Sequence, residues 1–272
     1  MEETNSTILT GYNSIDTFTD GFTDGDLVLI TGYHRGISEL LADNIVANNC
    51  RKNRKVLLLC EFSKEVDVLS RLYIVDRYSG YRNNLIIDNS LKTSVDDLYS
   101  LSQEKDADLI VIRGISSISG NHFRGFSKDM ISRLKLFSTN TGKPVIVCYN
   151  SIGHLYMTND SRFIHGQRRV DTNAVDYELI IKENLTSPEH KNLYHEFELN
   201  AKTNRSFYKT KLKLLFCPET GTIFDPQSVA IKLMHNAKTL GLEAKDIIDF
   251  ANFWKDRTNP EQNNNDLDNW CL

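Results

Sequence analysis

The chain has 272 residues, 40% of them hydrophobic and 25% charged, a composition that suits one large soluble globular domain with a buried core. No apolar stretch approaches the roughly 18 residues that span a bilayer, and the acidic, polar start Met1-Glu2-Glu3-Thr4-Asn5 is neither a secretory nor a transit signal. The formal net charge of −4 gives no overall pull towards nucleic acid, so any such contact must come from local basic segments.

Along the chain, short apolar runs alternate with segments of helical period. Asp26 to Ile30, Lys55 to Leu59, Asn84 to Ile87, Asp108 to Ile112, Pro144 to Cys148 and Glu178 to Ile181 each read as buried strands, rich in Val, Ile and Leu and without polar alternation. Helices are predicted between them over roughly 38–52, 64–79, 94–104 and 127–141, the second capped by Ser63. Alternation of this kind implies an α/β fold, a parallel sheet with helices on both faces. After residue 182 the pattern becomes antiparallel: Glu196 to Leu199, Lys211 to Phe216 and Thr222 to Phe224, the last two joined by a turn at Pro218-Glu-Thr-Gly221. Helices follow over 228–239 and 243–256, broken at Gly241, and the polar, Asn-rich end from Asn259 is expected to be disordered until bound. The organisation expected is a core over 1–226, a helical extension over 227–258 and an acidic tail over 259–272.

The five cysteines, Cys50, Cys60, Cys148, Cys217 and Cys271, are scattered without the paired spacing of a zinc site. Cys60 and Cys148 lie in or beside strand-like runs, where a cysteine behaves as a small buried hydrophobe. A reducing, cytoplasmic setting is the simplest home.

Thr10-Gly-Tyr-Asn-Ser-Ile-Asp16, followed by Asp20-Gly-Phe-Thr-Asp-Gly-Asp-Leu-Val-Leu-Ile30, resembles the approach to the ATPase domain of DnaB-like replicative DNA helicases. Val56 to Arg71 resembles that family's second strand with its Glu-Met-Ser signature, and Leu109 to Ile112 stands where its Walker B strand would be. Gly142 to Cys148 resembles the strand that ends in a Gln sensor, with Asn150 near the sensor's place. Asn200-Ala-Lys-Thr-Asn-Arg205 and the hairpin ending Phe224-Asp-Pro226 resemble its closing segment. The resemblance covers roughly residues 8–226 and implies a RecA-like fold, with the family's N-terminal helical domain missing.

It also implies a phosphate loop at Thr31-Gly-Tyr-His-Arg-Gly-Ile-Ser38, where Thr31, Arg35, Gly36 and Ser38 are the candidate nucleotide contacts. A working loop, Gly-x-x-x-x-Gly-Lys-Ser/Thr, cradles phosphate oxygens with backbone N–H groups, neutralises charge with its lysine and holds Mg²⁺ with its hydroxyl. Here the lysine is replaced by Ile37, and the metal-binding aspartate after Leu109-Ile-Val-Ile112 is replaced by Arg113. Arg113 is expected to bind a phosphate directly or to pair with Glu61, which matches the family's catalytic carboxylate and is read here as vestigial. Hydrolysis is therefore not expected, leaving ATP or ADP bound without turnover as the one cofactor state in view.

Basic segments supply the candidate nucleic-acid contacts. Arg168 and Arg169 lie beside Gly166 in the region matching the family's DNA-facing loops, and Lys202, Arg205 and Lys209 belong to a run from Lys202 to Lys213 holding five Lys/Arg with Phe207 and Tyr208 interleaved. By resemblance, Lys202 and Arg205 would reach a neighbouring subunit's nucleotide; read as residues alone, they suit a charged strand edge equally. The C-terminal Asp266, Asp268 and Trp270 suit docking into a basic, apolar groove. The expectation is a non-catalytic, helicase-like protein of DNA replication or recombination, of phage or mobile-element character. Its expected partners are a replicative helicase, a polymerase or another replisome protein, with single-stranded DNA as a further ligand and a homo- or hetero-oligomer as its assembly. An active DNA-dependent ATPase with relocated site residues, Arg35 replacing the lysine, is the competing expectation and predicts turnover lost in Glu61→Gln.

Overall fold

The computed structural model describes residues 7–32, 36–60, 68–69, 72, 81–89, 95–113, 128–150, 174–183, 195–205, 209–217 and 222–225. Their elements, in chain order, are α1 (Asn13–Thr19), β1 (Leu27–Gly32), α2 (Ile37–Arg51), β2 (Val56–Cys60), α3 (Tyr81–Asn84), β3 (Leu85–Asp88), α4 (Val95–Lys105), β4 (Leu109–Arg113), α5 (Lys128–Thr141), β5 (Val145–Asn150), β6 (Tyr177–Glu183), β7 (His195–Thr203), β8 (Lys209–Cys217) and β9 (Thr222–Phe224).

The nine strands form one sheet in the order β3-β2-β4-β5-β1-β6-β7-β8-β9. From β3 to β6 every pairing is parallel, and from β6 to β9 every pairing is antiparallel. The apolar runs pair in the parallel half because strands covered on both faces need apolar side chains at every position. Successive residues of β1 show this: Val28 and Ile30 face the core under α1 and α2, and Leu27 and Leu29 face a second core under α4 and α5. In the antiparallel half only one row is deeply buried. Phe197, Leu199 and Ala201 of β7 face the α2 side, and Glu198, Asn200 and Lys202 between them do not.

The helix α1 was not evident from the residues. Tyr12 at its N-cap provides no side-chain cap, and the first-turn N–H of Ser14 instead donates to Asp225 Oδ2 at 2.7 Å, from 211 residues further along the chain. The Thr-Gly and apolar-Asp pair before β1 is a closed loop. Asp16 accepts from the Thr10 N–H at 2.7 Å, the Thr10 hydroxyl at 2.6 Å and the Gly11 N–H at 3.1 Å. Gly11 has φ +88°, a conformation that favours glycine, and a Cβ there would sit 2.6 Å from the end of the Asn48 side chain on α2, which would have to shift. Asp16→Asn removes one acceptor from a site with three donors and is expected to cost about 1–2 kcal/mol in urea unfolding; an unchanged midpoint would show the loop to be dispensable.

The helix expected over 64–79 lies mostly outside the described residues, though Val68, Leu69 and Leu72 are helical. The turn at 218–221, the extension over 227–258 and the tail over 259–272 also lie outside them. Among the described residues no helix is long and apolar enough to cross a membrane.

Candidate functional site

In an open α/β sheet the carboxyl ends of the parallel strands, together with the helix N-termini that follow them, form the usual ligand crevice. Here β1 ends at Thr31-Gly32, and α2 opens at Ile37 with Gly36 as its N-cap, in the left-handed region at φ +87°. Thr31 is half-buried, and Ser38 is fully buried, its carbonyl accepting from the Cys148 thiol at 3.6 Å. Ile37, at the position of the family's lysine, is 6% exposed and belongs to the apolar core, as an aliphatic side chain at a helix start would.

The centre of the crevice is Arg113, the last residue of β4. Register places it between Cys60 of β2 and Cys148 of β5. Its Nη2 donates to Glu39 Oε2 at 3.0 Å and its Nε lies 3.4 Å from Asp43 Oδ1. Glu39 and Asp43 stand one turn apart on α2, so both present to the same strand end. Exposure separates the three: the Arg113 side chain is 5% exposed, Asp43 3% and Glu39 30%. Burial works against the charge of Arg113, but Asp43 and Glu39 outweigh it and hold the guanidinium's pKa above its ordinary value. Burial also pushes the Cys148 thiol far up, in spite of Arg113 beside it, so it stays a neutral thiol and no nucleophile. With strands about 4.8 Å apart, the Cys60 and Cys148 backbones stand about 9.6 Å apart, beyond the roughly 7 Å that a disulfide spans.

The fold family implies Mg²⁺ at this place. A magnesium ion needs oxygen ligands in near-octahedral array. At the metal-ligand position residue 113 offers a cation, and two carboxylates of the described residues, Glu39 and Asp43, are turned to that cation. The described residues at this place do not fit the ion. Among the described residues, no group of three or more His, Cys, Asp or Glu is placed to hold a metal.

The basic candidates lie elsewhere. On β7 and β8, Lys202 stands opposite Glu178 of β6 on one side and Lys209 on the other, with its ammonium 3.9 Å from Glu178. Lys209, Lys211 and Lys213 alternate along β8 on the same face, and Lys211 pairs with Glu198 at 3.3 Å. Arg205 follows β7 at the amino ends of β1 and β6, the opposite end of the sheet from Gly36 and Arg113. Its guanidinium pairs with Asp26, lies 3.8 Å from Asp176 and stacks 5.5 Å over the Tyr177 ring. Asp176 also accepts from Lys135 of α5 at 2.7 Å and from the Leu27 N–H at 2.7 Å. The structure thus gathers Thr31, Gly36, Ser38 and Arg113 at one end and places Lys202, Lys209 and Arg205 apart from them. Glu61, Arg35, Arg168, Arg169, Asp266, Asp268 and Trp270 lie outside the described residues.

Glu39 and Asp43 were missed in the residues. The available signal was two acids one turn apart near the start of a helix, 70 and more positions before an arginine at a strand end.

No protein-family model and no curated protein matches the chain. Solved structures do. A DnaB-like replicative helicase, described with its interactions with primase, is similar with a TM-score of 0.64 and 14% identity over 82% of this chain. The chain spans 64% of that helicase's length. A second solved structure, an isolated ATPase domain, is similar with a TM-score of 0.61 and 13% identity, over 82% of this chain and 93% of that domain. The fold is therefore the RecA-type α/β fold of DnaB-like helicase ATPase domains.

Proposed function

We propose that this chain is a non-hydrolysing, helicase-like protein of DNA replication or recombination, acting as a subunit or regulator of the replication machinery. The observation that carries the reading is the Arg113–Glu39–Asp43 cluster. A buried, ion-paired guanidinium occupies the strand end where a hydrolytic site of this fold needs a metal-binding carboxylate. Ile37, turned into the core, removes the second cation that such chemistry uses, and the two departures point the same way. Arg205, engaged with Asp26 in its own chain, also supports the reading, because a guanidinium held in cis is withdrawn from a neighbour's nucleotide.

A partner class follows from fold likeness alone. One similar structure is a replicative helicase described with primase, so a helicase, primase, polymerase or single-strand-binding protein is the partner we infer. Single-stranded DNA is the further ligand, with Lys202 and Lys209 on the outer face of β7 and β8 and Arg168 and Arg169 as its contacts.

The test is ATP turnover by purified protein, with and without single-stranded DNA. No turnover above a buffer blank is expected from the natural chain. DNA-stimulated turnover lost in Glu61→Gln would sink the reading and make the chain an ATPase with relocated groups. The partner claim is tested separately by affinity capture: specific recovery of a replication protein is expected, and recovery of none overturns it.

A further inference from the structure

We propose that the outward face of β7 and β8 is a docking surface for the chain's own acidic segment, residues 259–272, which lies over Lys209 and Lys211 and shields them from nucleic acid until displaced. The proposal deepens the reading above by giving its lysine contacts a regulator, and the docking is testable without DNA.

The face follows from the alternation of the strands. Opposite the buried row Phe197, Leu199 and Ala201, β7 presents Glu198, Asn200 and Lys202, and register sets these directly across from Lys213, Lys211 and Lys209 of β8. Lys202 and Lys209 are like charges at directly opposed positions, an arrangement that weakens a sheet and that an anion laid over both relieves. Lys209 is exposed. Lys211 pairs with Glu198 at 3.3 Å and is still 72% exposed, so the pair is of the surface kind that contributes little and yields to a second carboxylate. The helix α1 meets β7 and β8 on the other face, with the apolar core.

The occupant follows from where the described chain stops and from charge. Asp225 is the last described residue, directly after β9, and Phe224 of β9 stands opposite Leu215, two positions on from Lys213 in the outward row of β8. Residues 226–258 number 33, which reach about 50 Å even if wholly helical, whereas Leu215 to Lys209 is about 20 Å along β8. The segment 259–272 can therefore lie on this face. It holds Glu261, Asp266 and Asp268 and no lysine or arginine. Asp266 and Asp268 are two positions apart, as are Lys209 and Lys211, so an extended segment repeats its carboxylates at the spacing of the lysines beneath. Ile180 of β6, across Asn200 from Lys211, gives the face an apolar position for Leu267 or Trp270. A tether of this length sets an effective concentration of about millimolar, so weak, exposed ion pairs suffice in cis where they would not hold a separate peptide.

The experiment is zero-length carbodiimide cross-linking of the full chain, with the linked peptides identified by mass spectrometry. Lys211 with Glu198 is a built-in control, because that pair already stands at 3.3 Å. A link from Asp266 or Asp268 to Lys209 or Lys211 is expected within one chain, with a yield unchanged on dilution and lost at high salt. In parallel, Glu261→Gln, Asp266→Asn and Asp268→Asn together should tighten binding of oligo(dT) about tenfold at low salt. In a Lys209→Gln, Lys211→Gln background the same three substitutions should change that affinity less than about twofold, since the two effects act through one contact. The control link without a link to the segment, a segment link whose yield rises with protein concentration, or an oligo(dT) affinity that the neutral segment leaves unchanged each overturns the inference. Oligo(dT) bound by neither form overturns the single-stranded-DNA reading above and leaves the cross-link to decide the docking, so the two failures are separable.

Discussion

Arg113→Ala is expected to destabilise the fold by about 3–5 kcal/mol, the range for stripping one partner from a buried ion pair. The substitution removes the guanidinium that Glu39 and Asp43 share one turn apart on α2, and Asp43 is almost wholly buried. It also opens a space at the centre of the sheet, between the Cys60 and Cys148 positions. In a domain of this size the thermal midpoint should fall by roughly 10 °C. Neutralising the helix at the same time, as in Arg113→Leu with Glu39→Gln and Asp43→Leu, should recover most of the loss, because a matched apolar replacement of a buried ion pair is near neutral. The sign of the pH effect follows from the raised pKa of Arg113. A base whose folded pKa lies above its unfolded one contributes fully at every pH below the unfolded value, which for arginine lies far above neutrality. Titration of the arginine itself should therefore leave the penalty flat between pH 6 and 9. A loss below about 1 kcal/mol in urea unfolding would mean that the pair is solvated.

Arg205→Ala is expected to cost about 2–3 kcal/mol at neutral pH, less than a fully buried pair because the arginine side chain is 47% exposed. Its partner is the reason that the cost is this large: the Asp26 side chain is completely buried. Burial raises the Asp26 pKa above the ordinary carboxylate value, and the Thr23 N–H and Arg205 pull it back only in part. An acid raised in this way lends stability below its unfolded pKa, near 4, and loses it as pH rises through the folded value. Without Arg205 that folded value moves higher, so the gap between natural and variant chains should be small near pH 4 and widen towards pH 7. A gap that narrows over the same interval would show that Asp26 is not the partner that matters. Asp26→Asn in the Arg205→Ala background should recover part of the loss.

Much of the parallel half was legible, because a strand buried on both faces announces itself as a continuous apolar run. Asp108 to Ile112 and Pro144 to Cys148 anticipate β4 and β5 to within two residues. Of the antiparallel strands, β9 was read at its full length, and β7 and β8 were read shorter than they are. In β7, Glu198, Asn200 and Lys202 alternate with buried residues, and only part of that stretch looks apolar enough to count. Two features were beyond local reading. Asp225 caps α1 from the far end of the domain, and Glu39 with Asp43 meets Arg113 across about 70 residues, so no window of sequence contains either pairing. Arg113 was visible as a departure from the family, but its partners were not. Its charge could be counted in the sequence, whereas what neutralises it depends on how α2 lies over β4.

The place of β1 in the sheet bears on how the protein is made. It is the first strand of the sheet to leave the ribosome, yet its neighbours are β5 and β6, in register Leu27 with Val145 and Val28 with Tyr177. At about 5–20 residues per second, the 118 residues from Leu27 to Val145 take roughly 6–24 s to synthesise. For that interval a strand whose first four residues are apolar has neither partner, and of the sheet only β2 to β4 have emerged behind it. The chain therefore carries an apolar segment unsealed through much of its own translation. Its yield in a cell should depend on chaperone supply and translation speed more than on the stability of the finished sheet.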